Sequence, residues 1–181
     1  SIAIGLSITT ANAQAQLTVL HCGQVLDVSS GDLLGPHFIS IEGNTIQSIE
    51  RSNSNAKQIV HDLTQQTCLP GVMDMHVHLD SELNPRAYLD RFQLGPADIA
   101  FRAAANAQKT LLAGFTTVRN LGDTANVTIA LRRAIQQGLT SGPRIYSAGK
   151  ALASTGGHGD PSNGYRPSLQ GDPGAKEGVI N

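Results

Sequence analysis

From Pro70-Gly71 onward the spacing of apolar residues switches back and forth between a period of two and one near 3.6, and few folds accept that order of periods. Val72 to Leu79 alternates as a strand. Pro96 to Ala113 reads as a helix, with Ala100, Ala103, Ala104, Ala107 and Leu111 on one face, Pro96 at its start and Gly114 just past its end. Thr116 to Asn120 is the next strand. Ala125 to Gln137 is the next helix, its stripe made by Val127, Ala130, Leu131, Ala134 and Ile135 and its stop by Gly138. Arg144 to Ala148 is a third strand, entered through Gly142-Pro143. Strands and helices in this order pair in parallel through right-handed crossovers, in a doubly wound sheet or a (β/α)8 barrel. Gly149 to Gly178 has no periodicity at all, and a loop of that length either lines or covers the mouth of a site or is disordered.

Ahead of Pro70 the texture is different. His37 to Glu42 and Thr45 to Glu50 are β-prone runs joined by Gly43-Asn44, which predicts a hairpin. Leu17 to Cys22 and Gln24 to Val28 are expected strands before it, Ile59 to Asp62 and Thr67 to Leu69 after it, with Ser52 to Asn55 as a surface loop. Residues 16–69 therefore read as a small β module and residues 70–181 as the α/β part. Residues 1–15 are apolar, uncharged and rich in small residues. Ala11-Asn12-Ala13 and Ala13-Gln14-Ala15 have the small-x-small form cut by a signal peptidase, so this stretch reads as the remnant of an export signal, against a disordered tail or an added strand. An exported chain would meet an oxidising compartment such as the periplasm, where Cys22 and Cys68 could pair; two buried free thiols are the other state open to them.

Composition removes several classes of function. With 13 basic and 14 acidic residues, a net charge of -1 exerts no long-range pull on a phosphate backbone, and nucleic acid is not an expected partner. No run of about 20 apolar residues occurs, so no membrane-spanning helix is expected. Two cysteines without a Cys/His cluster exclude a structural zinc site built on thiolates.

The chemistry concentrates in Met73-Asp74-Met75-His76-Val77-His78-Leu79-Asp80. Its alternation sends Met73, Met75, Val77 and Leu79 to one side and Asp74, His76, His78 and Asp80 to the other. A polar face on a strand covered by helices is costly unless it meets a metal, a partner or water. His76 and His78, two residues apart, can share one ion, and Asp74 could orient one of the rings. The same pattern also fits an amphipathic edge strand with two solvated histidines. His158 is the other candidate, in Thr155-Gly156-Gly157-His158-Gly159, a glycine-flanked loop after the third strand. Its imidazole either contacts substrate, hydrogen-bonding a carbonyl or a developing oxyanion, or lies in a solvated loop. His21, His37 and His61 are expected to be surface or structural.

Cys68-Leu69-Pro70-Gly71-Val72-Met73-Asp74-Met75-His76-Val77-His78 resembles the strand-one signature of the amidohydrolase superfamily, metal-dependent hydrolases on a (β/α)8 TIM barrel. The likeness runs from about Leu17 to Asp160. It is nearest to the imidazolonepropionase-like branch, whose members carry a small β-sandwich before the barrel, and within it to the prolidase-like Xaa-Pro and Xaa-Arg dipeptidases. Ala113 to Gly122 and Ser147 to Gly159 resemble the branch's second and third strand regions, and Asn120 stands where relatives often carry Asp.

The resemblance implies a barrel of which this chain holds the first three βα units. It implies one or, in the complete enzyme, two divalent ions, most often zinc, that polarise a scissile carbonyl and supply a metal-activated hydroxide. His76 and His78 would be metal ligands and His158 a substrate-binding residue. The catalytic acid/base, a carboxylated lysine and the remaining ligands would follow residue 181. The implied substrate is a dipeptide or short peptide with a free C-terminal residue. A hydrolase or deaminase of cyclic amides or imidazolones is the alternative on the same barrel, and a non-catalytic periplasmic metal-binding module the alternative outside it. Homo-oligomerisation is left open.

Overall fold

A computed structural model describes residues 17–53 and 59–180. The expected export segment, residues 1–15, lies outside the described residues, as does most of the loop after Asn53. The chain divides into two compact units with the boundary between Pro70 and Gly71.

The first unit is one five-stranded sheet built from β1 (Leu17–Leu26), β2 (Leu33–Leu34), β3 (His37–Glu42), β4 (Thr45–Glu50) and β5 (Ile59–Cys68). The Gly43-Asn44 turn joins β3 to β4 as its chemistry demands, with Gly43 at φ 58°. β1 pairs antiparallel with β3 from Leu17 opposite Glu42 to Cys22 opposite His37, and parallel with β5. Two expected short strands are here one continuous strand, β1. It passes through Gly23, where a Cβ would run into the Thr64 carbonyl. The ladder slips at that point, β5 carrying two more residues than β1 between Cys22 opposite Leu63 and Gln24 opposite Thr67. The polar residues Thr64 to Gln66 in that bulge break the alternation, which is why β5 reads from sequence as two fragments. Cys22 and Cys68 form a disulfide across the bulge, with Cα atoms 5.9 Å apart. Around it Val19, Cys22, Val25 and Ile39 are buried. His37 is buried too and donates from Nδ1 to the Gly35 carbonyl at 2.8 Å, while His21 stacks on Phe38.

The second unit is a mixed α/β fold on a three-stranded parallel sheet. β6 (Val72–Val77) is followed by α1 (Ala87–Gln93) and α2 (Pro96–Leu112), then β7 (Phe115–Asn120), α3 (Val127–Gln136) and β8 (Arg144–Ser147), with β7 central. Pro96 opens α2, and the Asp98 carboxylate accepts the Gly95 N–H at 2.9 Å, occupying a main-chain donor at the helix start. Ala103 and Ala107 are fully buried, so α2 lies close to the sheet against Val118 and Ile145. α3 starts later than expected because Ala125 and Asn126 both sit at positive φ. Its stripe is also shifted, with Thr128 turned inward and Ala130 outward. α1 has no expected counterpart; its Tyr88, Leu89 and Phe92 are all exposed, so no buried stripe marks it.

β6 departs from the expected pattern in two ways. It ends at Val77, before His78, and Met73 and Met75 remain 64% and 50% exposed. The physical reason is its edge position: the helices cover Val77 and Leu79 at its carboxyl end and leave the methionines uncovered. The long segment after β8 folds back on itself. Its ends are pinned by a bridge between Ala153 and Val179, by the Ala153 N–H on the Gly178 carbonyl at 3.1 Å and by the Ile180 N–H on the Ala153 carbonyl at 2.8 Å. Two 3-10 turns, Pro167–Leu169 and Ala175–Glu177, lie between.

Candidate metal half-site and active-site cleft

His76 and His78 stand at the carboxyl end of β6, the end of a parallel sheet from which the βα loops rise. Their ring centroids are 5.4 Å apart. Both rings line one cleft of about 470 Å3 together with His158, Leu121 and the backbone-rich stretch from Ala151 to Gly159. The three histidines singled out by sequence are thus brought to one place.

His78 is held through its ring. Its Nδ1 lies 2.9 Å from the Gly122 carbonyl, and since a carbonyl only accepts, Nδ1 carries the proton and the Nε2 lone pair is free to bind an ion. Asn120, 0% exposed, fixes that carbonyl: its Nδ2 donates to Gly122 O at 3.0 Å while its Oδ1 accepts the Leu79 N–H at 2.8 Å. One side chain therefore ties the residue after His78 to the group that orients His78. An amide accepts and donates at once, which an ionised carboxylate of the same shape cannot. Glycine is required at position 122 because a Cβ there would sit 2.7 Å from the Ala151 Cβ.

Asp74, expected to orient one of the rings, holds main chain beside them. One of its carboxylate oxygens accepts the His76 main-chain N–H at 2.9 Å, at the point where the pairing of β6 with β7 becomes irregular. Beyond the histidines, the Asp80 carboxylate accepts the Thr124 N–H at 3.0 Å. Burial pushes its carboxyl above the ordinary range, opposed by hydrogen bonds from the Thr124 and Asp80 N–H groups, with Asp123 adding a further push. Asp123 in turn accepts from the Thr128 N–H at 2.7 Å and from the Thr128 hydroxyl, fixing the first turn of α3.

The loop bearing His158 is organised by Asp160, which is buried. Its carboxylate accepts the Gly156 N–H at 2.7 Å, the Ser162 N–H at 2.8 Å and the Ser162 hydroxyl at 2.8 Å. The Gly156 bond, then those from Ser162, hold its carboxyl below the usual carboxylate value. The roles of Asn120, Gly122 and Asp160 are not legible in the sequence because they run through main-chain groups, which leave no periodic trace.

Two imidazoles with one ring locked in the ligating tautomer fit a divalent ion, but as half a site. Among the described residues no group of three or more His, Cys, Asp or Glu is placed to hold one. What fold and cleft define together is an α/β protein with a pair of histidines in a cleft at the carboxyl end of its first parallel strand. The chain belongs to the amidohydrolase family, whose model matches residues 67–178.

Among solved structures, a Xaa-Pro dipeptidase with methionine bound in its active site is 39% identical, with a TM-score of 0.81 over 92% of this chain and 41% of that one. A prolidase complexed with N-methylphosphonate-L-proline is 29% identical, with a TM-score of 0.74 over 92% of this chain and 41% of that one. Among curated proteins, the ochratoxinase of Aspergillus niger is 28% identical over 155 residues, 81% of this chain and 31% of that protein. The chain thus spans about a third of the curated relatives and two-fifths of these solved ones.

Proposed function

We propose that the protein is a metal-dependent hydrolase of dipeptides or short peptides with a free C-terminal residue, and that residues 70–181 are the first three βα units of a (β/α)8 barrel behind a β-sandwich-type module at residues 16–69. The observation that carries this reading is the shared cleft of His76, His78 and His158 with His78 locked in its ligating tautomer. The likeness to a Xaa-Pro dipeptidase and a prolidase supports the choice of substrate class.

In this reading His76 and His78 hold a divalent ion, most simply zinc, which when bound would polarise the scissile carbonyl and activate water. The Gly122 carbonyl keeps the His78 ring from turning its protonated nitrogen to the ion. His158, on a loop whose glycines let backbone approach a ligand, hydrogen-bonds the substrate. Further ligands and the catalytic acid/base come, in this reading, from outside the described residues. The Cys22–Cys68 disulfide favours an oxidising compartment, and we place the protein outside the cytoplasm, in the periplasm.

The test is metal content and turnover of the full-length protein purified without chelator. We expect at least one equivalent of divalent metal, hydrolysis within a panel of Xaa-Pro, Xaa-Arg and Xaa-Met dipeptides, and loss of both metal and activity in His76→Ala. Activity should vanish when the dipeptide's C-terminal carboxylate is amidated. Well under one equivalent of metal, with hydrolysis unaffected by His76→Ala, refutes the proposal.

A further inference from the structure

A second cleft, of about 480 Å3, opens elsewhere on the α/β unit, between α1 and the loop that follows the His158 turn. It is lined by Tyr88, Arg91, Asn163, Tyr165, Arg166 and Leu169. Its size falls within the range of small-molecule sites. No carboxylate lines it, although it holds two guanidiniums. Three other cations of this unit have acidic partners: Arg102 pairs with Asp90 at 2.6 Å, Lys150 with Glu177 at 2.6 Å and Lys109 with Glu82 at 3.6 Å. Arg91 and Arg166 have no such partner among the described residues. The fork of an arginine matches a carboxylate, and the phenol rings of Tyr88 and Tyr165 with Leu169 offer flat apolar surface and hydroxyl donors beside it.

The walls of this cleft are held in place. The Gln170 amide donates to the Tyr165 carbonyl at 2.7 Å and the Leu169 N–H to the Arg166 carbonyl at 2.8 Å, closing the loop on itself. Asp160, which clamps the His158 turn through Gly156, also takes the Ser162 N–H immediately before Asn163. One buried carboxylate therefore anchors both the loop of the histidine cleft and the wall of the second. Both walls also leave the carboxyl ends of parallel strands, α1 after β6 and the loop after β8, the side on which open α/β sheets bind ligands.

We propose that this cleft is a carboxylate-binding subsite, in which Arg91 and Arg166 receive the carboxylate of a small molecule and Tyr88, Tyr165 and Leu169 receive its aromatic or apolar body. The carboxylate comes either from the substrate itself, which would deepen the hydrolase reading above, or from a separate effector.

The probe is phenylacetate, with phenylacetamide as its uncharged counterpart, titrated calorimetrically into the full-length holoprotein and into Arg91→Gln and Arg166→Gln. Both arginines are exposed, so the variants are expected to fold, which circular dichroism checks. Phenylacetate should bind saturably and phenylacetamide should not. Each variant should weaken phenylacetate by about tenfold or more with metal content unchanged, as expected for loss of a charge-assisted contact. Steady-state kinetics on free and amidated dipeptides separates the sources. A raised KM confined to the free acids assigns the subsite to substrate; unchanged KM with lost phenylacetate binding assigns it to an effector, and both support the proposal. Equal affinity in variants and wild type, or equal binding of acid and amide, overturns it. Loss of phenylacetate binding in a protein that hydrolyses no peptide sinks the dipeptidase reading alone.

Discussion

Breaking the Cys22–Cys68 bridge should loosen the first unit more than any other single change. The two cysteines are 46 residues apart, and the loop they close contains β2, β3 and β4. In the chain-entropy treatment, closing a loop of that length removes about 14 cal/mol/K from the unfolded ensemble, or about 4 kcal/mol at 25 °C. The native geometry adds to the case. β5 runs parallel to β1 with a bulge that interrupts the ladder beside Gly23, so the pairing is weakest where the bridge sits. Hydrogen–deuterium exchange read by mass spectrometry on full-length protein, with and without reductant, tests this. Peptides covering Leu17–Leu26 and Ile59–Cys68 should exchange up to about a thousandfold faster once the bridge is reduced. The Cys22→Ala/Cys68→Ala double variant should exchange at the fast rate whether or not reductant is present. Acceleration of less than about tenfold, or two titratable thiols in protein taken from its native compartment, would refute both the bridge's contribution and the assignment to an oxidising compartment.

Three further outcomes follow from the histidine cleft and its loop. Gly122→Ala forces a methyl against the Ala151 Cβ and moves the carbonyl that orients His78, so metal affinity should fall by about 10- to 100-fold, measured by competition with a chromogenic chelator. Asn120→Asp keeps the acceptor for the Leu79 N–H but loses the donor to Gly122; it should cost about 1–3 kcal/mol in denaturant unfolding, and a neutral effect there refutes the bridging role. Asp160→Asn should destabilise the protein at neutral pH. Because the folded carboxyl titrates below its ordinary value of 3.8, that contribution is present above this value and is lost as pH falls through the lower folded one. The wild-type and variant unfolding midpoints should therefore converge on acidification and stay apart from pH 5 upward.

What could be read from the sequence was what local chemistry alone decides. Gly43-Asn44 forces a hairpin whatever surrounds it, and Pro96 with Gly114 brackets a helix whose alanine face must be covered. The His76 and His78 pair was legible because a period of two puts both rings on one side, and His158 because glycines flank it. The start of α3 comes later than expected because Ala125 and Asn126 adopt positive φ, which asparagine tolerates but which alanine gives no sign of. β5 appeared broken because its bulge is filled with Thr64, Gln65 and Gln66, and α1 went unseen because it buries nothing. Asn120 stood out only as a departure from the Asp that relatives often carry. Its role depends on a main-chain carbonyl that the pattern of side chains does not encode.

That asparagine has one more effect. Neither an amide nor a peptide carbonyl gains or loses a proton across the pH range in which proteins stay folded, so the hold on His78 is silent to acidity. A carboxylate behind the same ring would have imposed its own titration on the strength of ion binding.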